Sequence, residues 1–220
     1  MKKIFTLLAL TIAFTVSAQT NTNFGTESLN SNTTGVNNSA FGYQSLKFNT
    51  TGSDNTASGY DALYTNTEGS NNTAYGQQSL FYNTTGSFNT AFGAYSLGSN
   101  TTGSYNAASG MFSLLSNTTG SYNTAFGYNA MASTDNATNQ TIIGYEATGQ
   151  ADNSVVLGND DVTAVYMGED SGATVYAAAF VGDGSQLTGI TGSASTLNDL
   201  TDVLVDSHSM FLGNPPTNST

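Results

Sequence analysis

Short bursts of alternating small and large side chains run along the chain. In Ser39-Ala40-Phe41-Gly42-Tyr43, Ala40 and Gly42 point one way and Phe41 and Tyr43 the other, the period-two signature of a β-strand. The burst recurs at a constant 17-residue interval, with its glycine at Gly25, Gly42, Gly59, Gly76, Gly93, Gly110, Gly127 and Gly144. A second glycine series keeps step: Gly35, Gly52, Gly69, Gly86, Gly103 and Gly120. An apolar series runs through Leu29, Leu46, Leu63, Leu80, Leu97 and Leu114 and is continued by Met131.

Each unit reads as one clear strand, a second short one around its Ser-Leu step, and two turns. Asn-Thr-Thr-Gly, as at Asn49 to Gly52, carries the turn chemistry: Asn bonds nearby backbone and Gly tolerates positive φ. Glycine falls too often, and no 3.6-residue period persists, for a helix of useful length. One unit has too little apolar surface to form a core, so successive units must stack. The predicted fold is therefore all-β, a parallel β-solenoid with one rung per 17-residue repeat and ladders of Ala, Gly and Leu. At about 4.7 Å per rung, seven or eight rungs extend on the order of 35 Å. Ser58 and Ser109 interrupt the column of Phe24, Phe41, Tyr75, Phe92 and Phe126, which predicts an exposed or interface face rather than a sealed core.

The period then changes. Asn153-Ser154-Val155-Val156-Leu157-Gly158 repeats the opening of the unit, but Gly158 follows Gly144 by a 14-residue step, and the loop around Asp135 has lost its glycine. The solenoid domain is thus expected over 19–158, with a β-rich neck over 159–192 that includes strands at Thr163–Met167 and Thr174–Val181. A stem segment follows over 193–220, expected to be extended and, from its polar ending, truncated.

The N-terminus reads as a secretory signal peptide over 1–18. Lys2 and Lys3 precede a short apolar run, Ile4 to Val16, and Val16-Ser17-Ala18 supplies a small-residue cleavage site. The run is interrupted by Thr6, Thr11 and Thr15 and is short of the roughly 20 apolar residues of a membrane span. The mature chain is expected to have no span.

After cleavage Lys47 is the one basic residue, against 15 Asp and Glu. That balance argues against nucleic acid and anionic membrane surfaces as partners. With no cysteine, stability must come from repeated packing or oligomerisation rather than disulfides.

Catalytic chemistry is not legible: no nucleophile, base and orienting group stand at a readable spacing. No catalytic residue, enzyme activity or cofactor is expected. His208 is the sole histidine and has no companion ligand. Asp160, Asp161, Glu169 and Asp170 form an acidic cluster that offers oxygens to calcium, but they lack the alternating spacing of a calcium loop and read better as a solvated turn. The Asn-x-Thr triplets match glycosylation acceptors, yet here read as turn residues.

Two resemblances enter at this point. Asn153 to Gly158, with its 14-residue step, resembles the head repeat of trimeric autotransporter adhesins. The longer unit, Asn-Thr-Ala-Phe-Gly-Tyr followed by Asn-Thr-Thr-Gly, is similar to repeats of bacterial tail-fibre domain-containing surface proteins. Phe180-Val181-Gly182-Asp183-Gly184-Ser185-Gln186-Leu187-Thr188-Gly189-Ile190 looks like a fibre-shaft element. The resemblance implies a left-handed β-roll, a homotrimer and display at the bacterial cell surface or outside the cell. It implies an adhesive fibre module touching host or neighbouring cells, matrix or glycans. The adhesins' coiled-coil stalk and β-barrel anchor, and the tail fibres' chaperone domain, are not found in this sequence, so the anchoring mechanism stays open. Two alternatives stand beside this reading. The Thr-Thr pairs (Thr33-Thr34, Thr50-Thr51, Thr84-Thr85, Thr101-Thr102, Thr118-Thr119) suggest an ice-binding solenoid, although Glu68 interrupts them. A receptor-binding phage-type tail-fibre fragment is the other, disfavoured by the signal peptide.

Overall fold

The computed structural model describes residues 20–163 and 165. The expected signal peptide, the strands at Thr163–Met167 and Thr174–Val181, the shaft-like element, the stem and His208 lie wholly or almost wholly outside those residues.

Nine three-residue strands follow one another: β1 Thr22–Phe24, β2 Ser39–Phe41, β3 Thr56–Ser58, β4 Thr73–Tyr75, β5 Thr90–Phe92, β6 Ala107–Ser109, β7 Thr124–Phe126, β8 Thr141–Ile143 and β9 Val155–Leu157. They form one parallel sheet in sequence order. Each strand pairs in register with the same positions of the next repeat, for example Thr73 with Thr90 and Tyr75 with Phe92. The chain is therefore a β-solenoid of about eight turns, and no helix occurs among the described residues. Rung n is the turn that begins with strand βn.

The expected second strand at the Ser-Leu step is absent. Leu46, Leu63, Leu80, Leu97 and Leu114 occupy left-handed backbone at φ 48–50°, and the chain turns there. Such a conformation costs about 1–2 kcal/mol for a side-chain-bearing residue. It is offset because the turn aims the leucine inward, where all five are fully buried. Inter-rung bonding continues through the turn without a strand, as in Leu80 N–H donating to Ser96 O at 3.0 Å and Tyr82 N–H to Gly98 O at 3.0 Å.

One rung buries Asn72, Ala74, Ser79, Leu80, Asn83 and Gly86. Ala74 and Leu80 alone bring apolar side chains, so the interior is largely polar and every polar atom needs a partner. Ser79 Oγ donates to Gly76 O at 2.9 Å. Asn83 Nδ2 donates to Gly86 O at 2.9 Å and to Asn66 Oδ1 of the rung before at 2.7 Å. Side-chain amide bonds of this kind run unbroken from Asn117 through Asn100, Asn83, Asn66 and Asn49 to Asn32. A second buried column bonds differently. Asn72 Nδ2 donates to Gly86 O at 2.9 Å, while Asn72 N–H donates to Asn55 Oδ1 at 2.9 Å.

Glycine is required twice per rung. Gly76 sits at φ +130°, where a Cβ would lie 2.6 Å from the carbonyl carbon of Gly93. At Gly86 the backbone is ordinary, but a Cβ would come within 2.4 Å of Gly103 O and 2.5 Å of Asn83 Oδ1. The close approach is thus inside the coil.

At rung 8 the repeat shortens, yet the parallel pairing continues, Thr141 with Val155 and Ile143 with Leu157. The amide ladder stops because Thr134 stands where Asn is due. Gln140 fills the space: its Nε2 donates to Ser133 Oγ at 2.6 Å and its Oε1 accepts from Ser133 N–H at 3.1 Å.

Replacing Asn83 by Leu removes the bonds to Gly86 and Asn66 and takes from Asn100 Nδ2 its acceptor one rung back. The expected loss is about 3 kcal/mol or more, against about 0.5 kcal/mol or less for the exposed control Thr85→Ala. Denaturant unfolding followed by circular dichroism measures both.

Candidate interaction surface

The strand alternation that buries Ala74 turns Thr73 and Tyr75 outward, and stacking turns each outward position into a column. The strand face carries three columns. One is Thr22, Ser39, Thr56, Thr73, Thr90, Ala107, Thr124, Thr141 and Val155; the central one is Phe24, Phe41, Ser58, Tyr75, Phe92, Ser109, Phe126, Ile143 and Leu157. The third, two residues beyond, runs over the first eight rungs as Thr26, Tyr43, Tyr60, Gln77, Ala94, Met111, Tyr128 and Tyr145. The central rings are open: Tyr75 is 52%, Phe92 56% and Phe126 61% exposed. No Asp, Glu, Lys or Arg occurs in these three columns. The expected exposed face is therefore present, and the two serines sit on its surface, half-buried.

Rings on adjacent rungs stack along the axis at several levels. Tyr75 and Phe92 stack at 4.9 Å and 7°, and Tyr43 and Tyr60 at 5.4 Å. On the flank Phe88, Tyr105 and Tyr122 form a three-ring pile at 4.9 and 5.1 Å with interplanar angles of 3° and 1°. Each such contact contributes about 0.5–1.5 kcal/mol beyond the area it buries.

Two threonine sets behave differently. The first threonine of each turn pair is tied down: Thr50 Oγ1 donates to Thr67 O at 2.8 Å and Thr84 Oγ1 to Thr101 O at 3.0 Å. The hydroxyls of Thr56, Thr73 and Thr90 on the strand face make no hydrogen bond among the described residues. The column suited to meeting an outside partner is the strand one, and it was hidden from sequence reading by the conspicuous Thr-Thr pairs.

Charge is confined to the ends. From Gly69 to Thr134 there is no Asp, Glu, Lys or Arg. Near the first rungs Lys47 Nζ meets Glu27 Oε2 at 2.6 Å, and Gln44 Nε2 donates to the same oxygen at 2.6 Å. The hydrogen bond from Lys47 holds the Glu27 carboxyl below its ordinary pKa, with Gln44 adding to it, and Glu27 in turn raises Lys47. At rung 8 the hydrogen bond to Glu146 raises the Tyr145 phenol. Asp61 is buried, with Oδ2 3.4 Å from Gln78 Nε2 and Oδ1 without a hydrogen-bond partner among the described residues.

Of the acidic cluster, Asp160 and Asp161 are in a turn where Asp161, itself exposed, donates its N–H to Asn159 Oδ1 at 3.1 Å; Glu169 and Asp170 lie outside the described residues. Among the described residues no three His, Cys, Asp or Glu side chains converge, and no helix is long and apolar enough to cross a membrane. The repeat leucines and glycines are structural, lying in the coil rather than at a surface site. Asn49, Asn83, Asn100 and Asn117 of the Asn-x-Thr triplets are buried with their amides engaged, which closes them to glycosylation.

The Glu27–Lys47 pair has a pH signature. A carboxyl whose folded pKa is lowered adds stability at neutral pH, and that contribution is lost as pH falls through the lowered value. Protection of the Leu29 and Ser31 amides, which bond to Ser45 O and Lys47 O, is expected to fall on acidification in the native chain once exchange is normalised to the intrinsic, base-catalysed rate. The expected acid response in Lys47→Met is smaller.

Comparison of the chain with protein families, with curated proteins and with solved structures finds no match.

Proposed function

We propose that the chain is an exported, surface-displayed structural and adhesive fibre module that associates with copies of itself through the strand face. The observation that carries this is a strand face whose columns hold exposed Phe, Tyr, Ile and Leu and no charged residue, on a chain of net charge −12. A face without charge is free of the self-repulsion that the chain's Asp and Glu residues impose where they stand. Contiguous exposed apolar surface of this kind marks an interaction site. The homotrimer implied by the resemblance is one form of such association. Rows of like side chains repeated at the rung spacing suit many weak contacts whose strength comes from effective concentration. Cells, matrix and glycans are the partners that fit an outward surface rich in Asn, Thr and Ser. The signal-peptide pattern supports export, and no residue constellation favours catalysis.

An ice-binding role is a second reading, favoured by the free hydroxyls of the strand threonine column. The ring column beside it argues against this reading, because it breaks the flat surface that ordered water needs.

Sedimentation of the mature chain is expected to show concentration-dependent association that Phe92→Glu abolishes with the circular dichroism spectrum unchanged. Cell or bead attachment should fall with it. A native chain that stays monomeric at tens of micromolar, or one that inhibits ice recrystallisation, contradicts the reading.

A further inference from the structure

The central column has a self-complementary pattern of sizes. Written from β1 to β9 it places small residues at Ser58 and Ser109 and bulky ones elsewhere. Laid against a second copy in the same direction, Ser58 meets Ser58 and Ser109 meets Ser109. Two voids open between the faces while the remaining levels set large side chain on large side chain. Laid in the opposite direction with Phe92 at the centre, Ser58 meets Phe126 and Tyr75 meets Ser109. Phe92 meets Phe92, Phe41 meets Ile143 and Phe24 meets Leu157. Both serines then receive a ring, and all nine rungs are covered. A reversed alignment shifted by one rung, with Ser58 on Ile143 and Ser109 on Phe92, also fills both serines but leaves one rung of each copy uncovered; shifts of two or three rungs that overlap the first rungs fill them too and leave more rungs uncovered.

We infer that the strand face pairs two copies antiparallel, about a two-fold axis through Phe92, with Ser58 and Ser109 as the sockets that set the register. This rests on the self-association reading and departs from the threefold packing that the resemblance implies.

Three further observations support it. The stacked pair Tyr75–Phe92 has a serine on either side in its column, so neither outer ring face is covered by a ring of its own chain. A two-fold axis parallel to the strands lays each column on itself. The threonine column, small at every rung, then leaves room for the rings beside it. A face of nine rungs at about 4.8 Å by the five residues from the strand's first position to the third column (Thr73 to Gln77 in rung 4) is about 40 Å by 15 Å, which makes about 1,200 Å² for the two copies together. That is the low end for a specific interface, as suits a reversible contact. Isologous pairing of this kind closes on itself instead of growing into a fibre. Because the solenoid axes run in opposite directions, the contact joins copies displayed on facing surfaces. The occupant of the face is thus a second copy of this chain.

The chain has no cysteine, so introduced thiols report contacts without background. A mixture of Ser58→Cys and Phe126→Cys chains, treated with a short bis-maleimide, is expected to give covalent dimers at least tenfold faster than either alone. Phe92→Cys is expected to cross-link by itself. Self-linking of Ser58→Cys as fast as the mixture overturns the antiparallel register in favour of parallel packing. So does a mixture that fails to link while Phe92→Cys links and the unmodified chain sediments as an oligomer; self-association then stands. An unmodified chain that sediments as a monomer, with no linking at Phe92→Cys, removes the self-association reading and the pairing with it.

Discussion

Each turn of the solenoid is too narrow to hold a hydrophobic core of its own. With one leucine and one alanine inside, most of the interior cross-section falls to asparagine, serine and glycine. Burying an amide without partners costs several kcal/mol, so the polar interior is possible only because adjacent rungs satisfy one another. The amide column from Asn32 to Asn117 does this with the same bond repeated at 2.7–2.9 Å. The rung spacing, the strict 17-residue period and the two obligatory glycines all follow from keeping those bonds in register. The column ends at Asn117, Gln140 takes over in the next rung, and the rung after that is the shortened one.

This dependence divides the repeat into two kinds of position. Inward residues are held constant by their neighbours above and below, and one wrong side chain orphans atoms in the next rung. Outward residues answer only to solvent and partners, and they vary: the column with Phe88, Tyr105 and Tyr122 has Asn71 before it and Asn139 after it. Functional variation can therefore be written on the outside of the coil without disturbing its interior. The uncharged strand face and the charge-free stretch from Gly69 to Thr134 are the clearest instances.

Much of this was legible in the chain. Fixed glycine and leucine intervals identified the solenoid, and Ser58 and Ser109 marked the aromatic column as exposed. The Ser-Leu step was misread because a leucine in left-handed backbone is locally unfavourable, and only the stacked neighbours make that conformation worthwhile. Asparagine was read as turn chemistry when its larger role is in the core. The constancy of Asn38, Asn55, Asn72, Asn89, Asn106 and Asn123 at the 17-residue interval was the available signal, since a solvent-facing turn residue has no reason to be so uniform. The free strand hydroxyls were not legible, because sequence context places a threonine in a strand or a turn without showing whether its hydroxyl finds a carbonyl one rung away.

Side-chain amide hydrogen exchange tests the central claim most directly. In solution NMR the Nδ2 hydrogens of Asn49, Asn66, Asn83 and Asn100 are expected to resist exchange for hours. Couplings across the hydrogen bonds should link each to the asparagine one rung before it. Exchange of these hydrogens at the rate of exposed amides, with the backbone strands still protected, would contradict the account, since the polar interior would then not be what holds the rungs together.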